Sequence, residues 1–280
     1  MPAARVSDLH RTAFVTGAST GLGRAFTTML LAEGVCVWGT SRDVARLEHF
    51  STDPARAGLF TPVALDLRNG AHAEAVFLEA EAEAGGFDLV VNNAGYGVFA
   101  EFAIAEFSVW QTQLEVMLVN TARLSHVALR GFLARNRGAL VNISSLAAEF
   151  PLPFQSAYNI AKAGLTALNE SLLLETAGTG VVIIDFRPGD YRTDFEASVL
   201  RPVASDVPRQ ARAWAAFAGM MQSGPAPAHA AAALRRALLR NRPGTVRTGR
   251  FFQAVVAPFL ARFGSLALKR RVQAKYFHVD

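Results

Sequence analysis

Cysteine is almost absent from this chain of 280 residues: Cys36 stands alone, between Val35 and Val37. A single thiol excludes an intrachain disulfide and any metal site built of cysteines, and it fits a reducing cytoplasm. Charge is sparse as well, at 18% of residues, and the net charge of +5 contains no block of five or more like charges. Nucleic acid is therefore not an expected partner. No run of 18 apolar residues occurs, so no spanning helix is expected. Residues 1–11, with Arg5, Asp8, His10 and Arg11, lack the apolar stretch of a signal peptide. The six histidines, at 10, 49, 72, 126, 229 and 278, show no ligand spacing such as H-x-x-x-H, and no catalytic metal is expected. Repeats and low-complexity linkers are missing too; Ser223-Gly224-Pro225-Ala226-Pro227 reads as a turn between helices.

What the chain has is apolar residues, 51% of the total, enough for one large domain over 1–280. Short β-branched runs at 12–16, 35–39, 59–65, 87–91, 139–143 and 181–186 read as strands, with Val246 to Gly249 as a candidate seventh. Helical patterns fill the gaps at 21–33, 71–84, 108–133 and 157–176. Apolar strands alternating with helices predict an α/β fold, a Rossmann-type doubly wound parallel sheet with helices on both faces.

Two motifs carry chemistry. The first strand runs into Thr16-Gly17-Ala18-Ser19-Thr20-Gly21-Leu22-Gly23, a glycine-rich turn that opens a helix. Its glycines allow close backbone approach, and the helix amides favour an anion such as a pyrophosphate. The second motif is Tyr158-x-x-x-Lys162. On a helix these positions share one face about 6 Å apart along the axis. An ammonium at that distance would favour the phenolate by roughly 2–3 kcal/mol at an effective dielectric of about 20, bringing the phenol down to near pH 8.

Taken with Asn92-Asn93-Ala94-Gly95, Asn120, Ser145 and Pro188-Gly189, and with 13 residues from Ser145 to Tyr158, these motifs resemble the short-chain dehydrogenase/reductase family over about residues 12–195. The resemblance implies a nicotinamide cofactor and hydride transfer at a carbonyl or alcohol carbon. It makes Tyr158 the proton donor or acceptor, Lys162 its modulator and the ribose holder, and Ser145 the partner of the substrate oxygen, with Ser144 as the adjacent decoy. Asn120 would position a water leading from Lys162 to solvent. On the cofactor side it implies Gly17, Ser19, Thr20, Gly21, Leu22 and Gly23 for the phosphates, Asp66 and Leu67 for the adenine, and Asn93, Ala94 and Gly95 along the adenosine. Tyr158, Lys162, Pro188, Gly189, Tyr191 and Thr193 fall at the nicotinamide end. Tyr191, where the family carries an aliphatic residue nearby, puts the shape of that pocket in question.

The second strand ends in Thr40-Ser41-Arg42 with no acidic residue before Asp43. An arginine there suits a 2′-phosphate, so Ser41 and Arg42 point to NADP(H) rather than NAD(H). Residues 195–224 match the family's substrate lid, and Phe195, Trp214 and Phe217 from it, with Phe150 and Phe154 opposite, would line a cleft for a small hydrophobic substrate such as a ketone, steroid, retinoid or lipid-like compound. Residues 250–280 form an extra basic, apolar helical tail that could lie on an anionic membrane surface, making the protein membrane-peripheral within the cytoplasm, or pack on its own domain or a partner subunit. The family resemblance implies a homodimer or homotetramer. The reading is an NADP-dependent oxidoreductase acting on CH–OH groups or the matching carbonyls. Alternatives are an NAD-linked alcohol dehydrogenase of the same fold, a non-catalytic NADP(H) sensor, and a membrane-surface scaffold led by the tail.

Overall fold

The computed structural model describes residues 4–52, 58–202 and 207–279. Seven strands form one parallel sheet: β1 (Thr12–Val15), β2 (Cys36–Ser41), β3 (Phe60–Ala64), β4 (Leu89–Asn92), β5 (Gly138–Ile143), β6 (Val181–Pro188) and β7 (Gly244–Thr248), in the order β3-β2-β1-β4-β5-β6-β7. All pairings are parallel, with Phe14 opposite Trp38 on one side and Val90 on the other. The order reverses between β1 and β4, and the crevice outside the strands' carboxyl ends at such a switch point is where ligands bind in doubly wound sheets.

Alternation along the strands divides the core into two. Val15, Val91, Val141 and Ile184 face one side, packed with Phe26 and Leu30 of α1 (Gly21–Ala32) and Leu234 and Leu238 of α8 (Pro227–Arg240). Phe14, Val90, Leu140 and Ile183 face the other. There they meet Phe77 of α3 (Gly70–Glu83), Leu124 and Phe132 of α5 (Asn120–Arg135) and Leu172 of α6 (Ser156–Glu175). Parallel strands must bury both faces, which is why their sequences read as continuous apolar runs. Two short helices complete this part: α2 (Glu48–Ser51) after β2 and α4 (Phe107–Leu114) after β4.

The helix expected over 108–133 is one rod with an irregularity. Between α4 and α5 the segment Glu115–Val119 is a π-helix. Periodicity cannot register a single wide turn, and such turns are frequent at functional sites. Of the expected lid, α7 (Pro208–Gln222) is helical, while positions 203–206 lie outside the described residues. The tail begins with a second π-helical turn, Phe252–Val256, followed by α9 (Ala257–Ala261) and α10 (Leu266–Tyr276). Among the described residues no helix is long and apolar enough to cross a membrane.

Candidate active site

A cavity of about 1150 Å³ opens along the carboxyl ends of the strands. At one end lies the β1–α1 turn. Gly17 and Gly21 adopt φ of +68° and +54°, a left-handed conformation that disfavours side chains. Gly23 does not line the cavity; a Cβ there would overlap the Gly17 carbonyl and the Asn93 amide, so its glycine lets α1 close against the turn. Thr20 caps α1 with no side-chain hydrogen bond, so the first-turn amides take no partner from it. The loop is braced from the neighbouring strand. Thr16 Oγ1 accepts from the amides of Asn93 (2.9 Å) and Ala94 (3.0 Å), and Asn93 Nδ2 donates back to the Thr16 carbonyl at 3.0 Å. An uncapped helix start facing a roomy cleft is a fit for the diphosphate of a dinucleotide. Ser19, Thr20, Gly21, Leu22, Asn93, Ala94 and Gly95 all reach its wall.

The same end carries Ser41, Arg42, Arg46, Asp66, Leu67 and Arg68. Its carboxylates are already engaged. Asp43 accepts from the Ala45 amide at 3.1 Å, and Arg68 binds Asp66 with Nε at 2.9 Å and Nη2 at 2.5 Å. The Arg68 guanidinium holds the Asp66 carboxyl below its usual range. Arg46 and Arg68 had no sequence signal beyond being surface-type cations; only folding brings them beside Arg42.

At the centre, Ser145, Tyr158, Lys162, Pro188, Gly189 and Thr193 meet on one wall. Ser144 also reaches the wall, but its hydroxyl is engaged elsewhere: its Oγ donates to Asp185 Oδ1 at 2.5 Å, within a network where Arg187 binds Asp185, Glu149 and Glu170. Ser145 Oγ accepts from the Ala147 amide at 3.0 Å and donates to the Pro188 carbonyl at 3.5 Å, and its hydroxyl acts on Tyr158 to favour the phenolate.

The expected lowering of the phenol is reversed. Burial pushes Tyr158 up to about 12, and the Ser145 bond offsets only part of this, with the nearby Asp190 charge adding to the rise. Lys162 lies 5.7 Å from the Tyr158 ring centroid, but its Nζ donates to the Ile143 carbonyl at 2.6 Å. Burial brings Lys162 down to about 8 against the opposing pull of Asp185. The Coulomb argument from spacing treated both groups as solvated; in the fold desolvation outweighs it.

Asn120 departs from expectation as well. It is buried, off the cavity wall, and its Nδ2 donates to the Leu67 carbonyl at 2.8 Å rather than toward Lys162. It holds the β3–α3 loop, whose Leu67 does line the cavity. Tyr191 reaches the wall, yet its ring is fully buried in the core, with the hydroxyl bonded to His229 Nδ1 (2.8 Å) and Thr248 Oγ1 (2.7 Å). The hydroxyl turns inward, away from the cavity.

Of the expected substrate residues, Phe150, Phe195 and Phe217 line the cavity. Phe154 and Trp214 do not: they pack behind it, with Phe99 centred 5.4 Å from Phe154 and 5.1 Å from Trp214. Aromatic content shows that a cluster will form; which rings face its interior is a matter of packing.

The largest surprise is the tail, which roofs this cavity. Gln253 donates to Asp190 at 2.5 Å, Gln273 donates to the Pro151 carbonyl at 3.0 Å, and Leu260, Leu268, Val272 and Tyr276 line the opening. Asp190, pushed up by burial, thus ties tail to site floor.

Residues 11–203 match the family model described as short chain dehydrogenase. A short chain dehydrogenase of Pseudocercospora fijiensis is 32% identical over 190 residues, covering 67% of this chain and 62% of that protein. The 3-oxoacyl-acyl-carrier-protein reductase of Vibrio cholerae is 32% identical over 184 residues, covering 66% of this chain and 75% of its own. Among solved structures, a short-chain dehydrogenase from Streptomyces avermitilis superposes with a TM-score of 0.82 at 28% identity, covering 95% of this chain and 98% of that one. One from Burkholderia phymatum, solved in complex with NAD, shares the fold with a TM-score of 0.79 at 23% identity, over 91% of this chain and 92% of its own.

Proposed function

We propose, from the premise that this chain belongs to the short-chain dehydrogenase family, that it transfers a hydride between NADP(H) and a carbonyl or secondary alcohol carbon of an apolar substrate. The observation that carries this reading is the meeting of Ser145, Tyr158 and Lys162 with the glycine-lined start of α1 on the wall of one cavity. When bound, the nicotinamide supplies or accepts the hydride; the side chains handle the proton and the geometry.

A hydride arriving at a carbonyl carbon leaves negative charge on its oxygen, and two hydroxyls stand ready for it. Tyr158, held as the neutral phenol at physiological pH, donates its proton to that oxygen. Ser145 holds the same oxygen from its capping position above the Ala147 amide. Lys162, anchored on the Ile143 carbonyl, presents its amine at the floor beside Tyr158 and would hold the ribose. In the oxidative direction the same groups run in reverse, starting from the Tyr158 phenolate, which takes the alcohol proton and becomes the phenol.

NADP(H) is favoured over NAD(H) by the end of β2. Arg42 and Arg46 line the cavity there with Asp43, whose Oδ1 accepts from the Ala45 amide, and Asp66 is paired with Arg68. A 2′-phosphate finds two guanidinium groups there against one carboxylate. An apolar substrate is favoured by Phe150, Phe195, Phe217, Met220 and Leu260 on the walls. The name of the Vibrio relative, a 3-oxoacyl reductase, is in keeping with a carbonyl borne on an apolar chain.

The test is loss of the reduced-nicotinamide absorbance with NADPH, and with NADH alongside, over a panel of apolar ketones and aldehydes. Tyr158→Phe should lower kcat by roughly 10²–10⁴-fold while leaving NADPH binding intact. Near-normal rates in that variant would remove Tyr158 from the reaction. NADPH binding without turnover across the panel would favour a sensor.

A further inference from the structure

We propose that α9, α10 and the turns flanking them form a docking surface for an anionic lipid bilayer. Large apolar side chains of this segment face outward: Phe251 is 74% exposed, Phe259 58%, Phe263 77%, Leu266 61% and Val272 59%. Among the described residues nothing covers them.

Charge decides what does. Residues 250–280 contain Arg250, Arg262, Lys269, Arg270, Arg271 and Lys275 against Asp280 alone, so the segment accounts for the whole net charge of +5 while the rest of the chain is balanced. Among the described residues none of Arg262, Lys269, Arg270, Arg271 or Lys275 is in an ion pair. A second copy docked face to face would set these cations against their own kind, since a two-fold interface brings a patch onto itself. An anionic lipid surface accepts both the cations and the phenylalanines. With five residues in α9 and 11 in α10, the helices are built to lie in the interface and not to span it.

The cavity opens on the same face. Leu260, Leu268, Val272 and Tyr276 are each more than two-fifths exposed and also line it, so docking sets the cavity mouth against the lipid. The binding claim stands without the proposed reaction.

Flotation of the full chain with phosphatidylcholine vesicles, with and without phosphatidylglycerol, is the test. Binding should require the anionic lipid and weaken with added salt. Each cation near an anionic surface contributes roughly a fivefold gain in partitioning, so Arg270→Gln/Arg271→Gln should lose about 25-fold. Phe259→Ser/Phe263→Ser should abolish flotation. None of these four residues lines the cavity, so both variants should keep their melting temperatures and, if the enzyme reading holds, their rates on soluble ketones. Failure to float with anionic vesicles, or equal flotation with neutral ones, overturns the proposal. So does light scattering that shows a dimer, dissociated by Phe259→Ser/Phe263→Ser, in a chain that does not float.

Discussion

Raising the pH from about 8 to about 10 should stabilise the cofactor-free fold through Lys162, because burial has separated its folded and unfolded proton affinities. The side chain is 5% exposed, and its Nζ has the Ile143 carbonyl at 2.6 Å. Desolvation carries it from the ordinary 10.5 to about 8, with Asp185 resisting. That gap amounts to about 3 kcal/mol against the ammonium, at 1.36 kcal/mol for each tenfold change. The unfolded lysine keeps its proton to 10.5 and the folded one releases it near 8, so between those values the unfolded state binds more protons and stability rises with pH. Above pH 10 the sign reverses through Tyr158, whose folded phenol keeps its proton to about 12 while the unfolded one ionises. The useful window is therefore bounded by these two groups. Urea unfolding across it should gain 2–3 kcal/mol, roughly, and Lys162→Met should abolish the gain. Isotopic labelling of lysine gives a direct check, since the chain has only Lys162, Lys269 and Lys275. The Cε resonance missing from Lys162→Met should titrate near 8. A midpoint at or above 10.5 would refute the reasoning, and would mean that the Ile143 carbonyl and Asp185 outweigh burial.

Two further substitutions separate cofactor choice from architecture. Arg42→Ala should weaken NADPH by roughly 10–100-fold, the worth of a charge-assisted bond to phosphate, and NADH by far less in fluorescence titrations; equal losses would overturn the NADP reading. Tyr191→Phe removes the bonds to His229 and Thr248 within the core and should cost about 1–3 kcal/mol, lowering Tm by roughly 2–4 °C per kcal/mol while leaving the KM for cofactor unchanged. A raised KM with an unchanged Tm would place its ring in the pocket instead.

The sheet and its helices were readable because their signals are local. Strand runs such as Val181 to Phe186 carry their burial in consecutive side chains, and the glycines of the β1–α1 turn state a backbone need that glycine meets at least cost. The Tyr158–Lys162 spacing is likewise a property of one helix, α6. Whatever depends on which distant segments meet was not readable in this way. Asp190, Gln253 and Tyr276 are far apart along the chain, yet they join the tail to the site. Phe154 and Trp214 look like Phe150 and Phe217 in composition but sit behind the wall, because packing chooses which ring of a cluster faces the void. Proton affinities belong to the same class. The four-residue spacing placed an amine near a phenol by itself, but burial in the folded site removed their water, and desolvation, a property of the whole enclosure, set the direction in which each group moved.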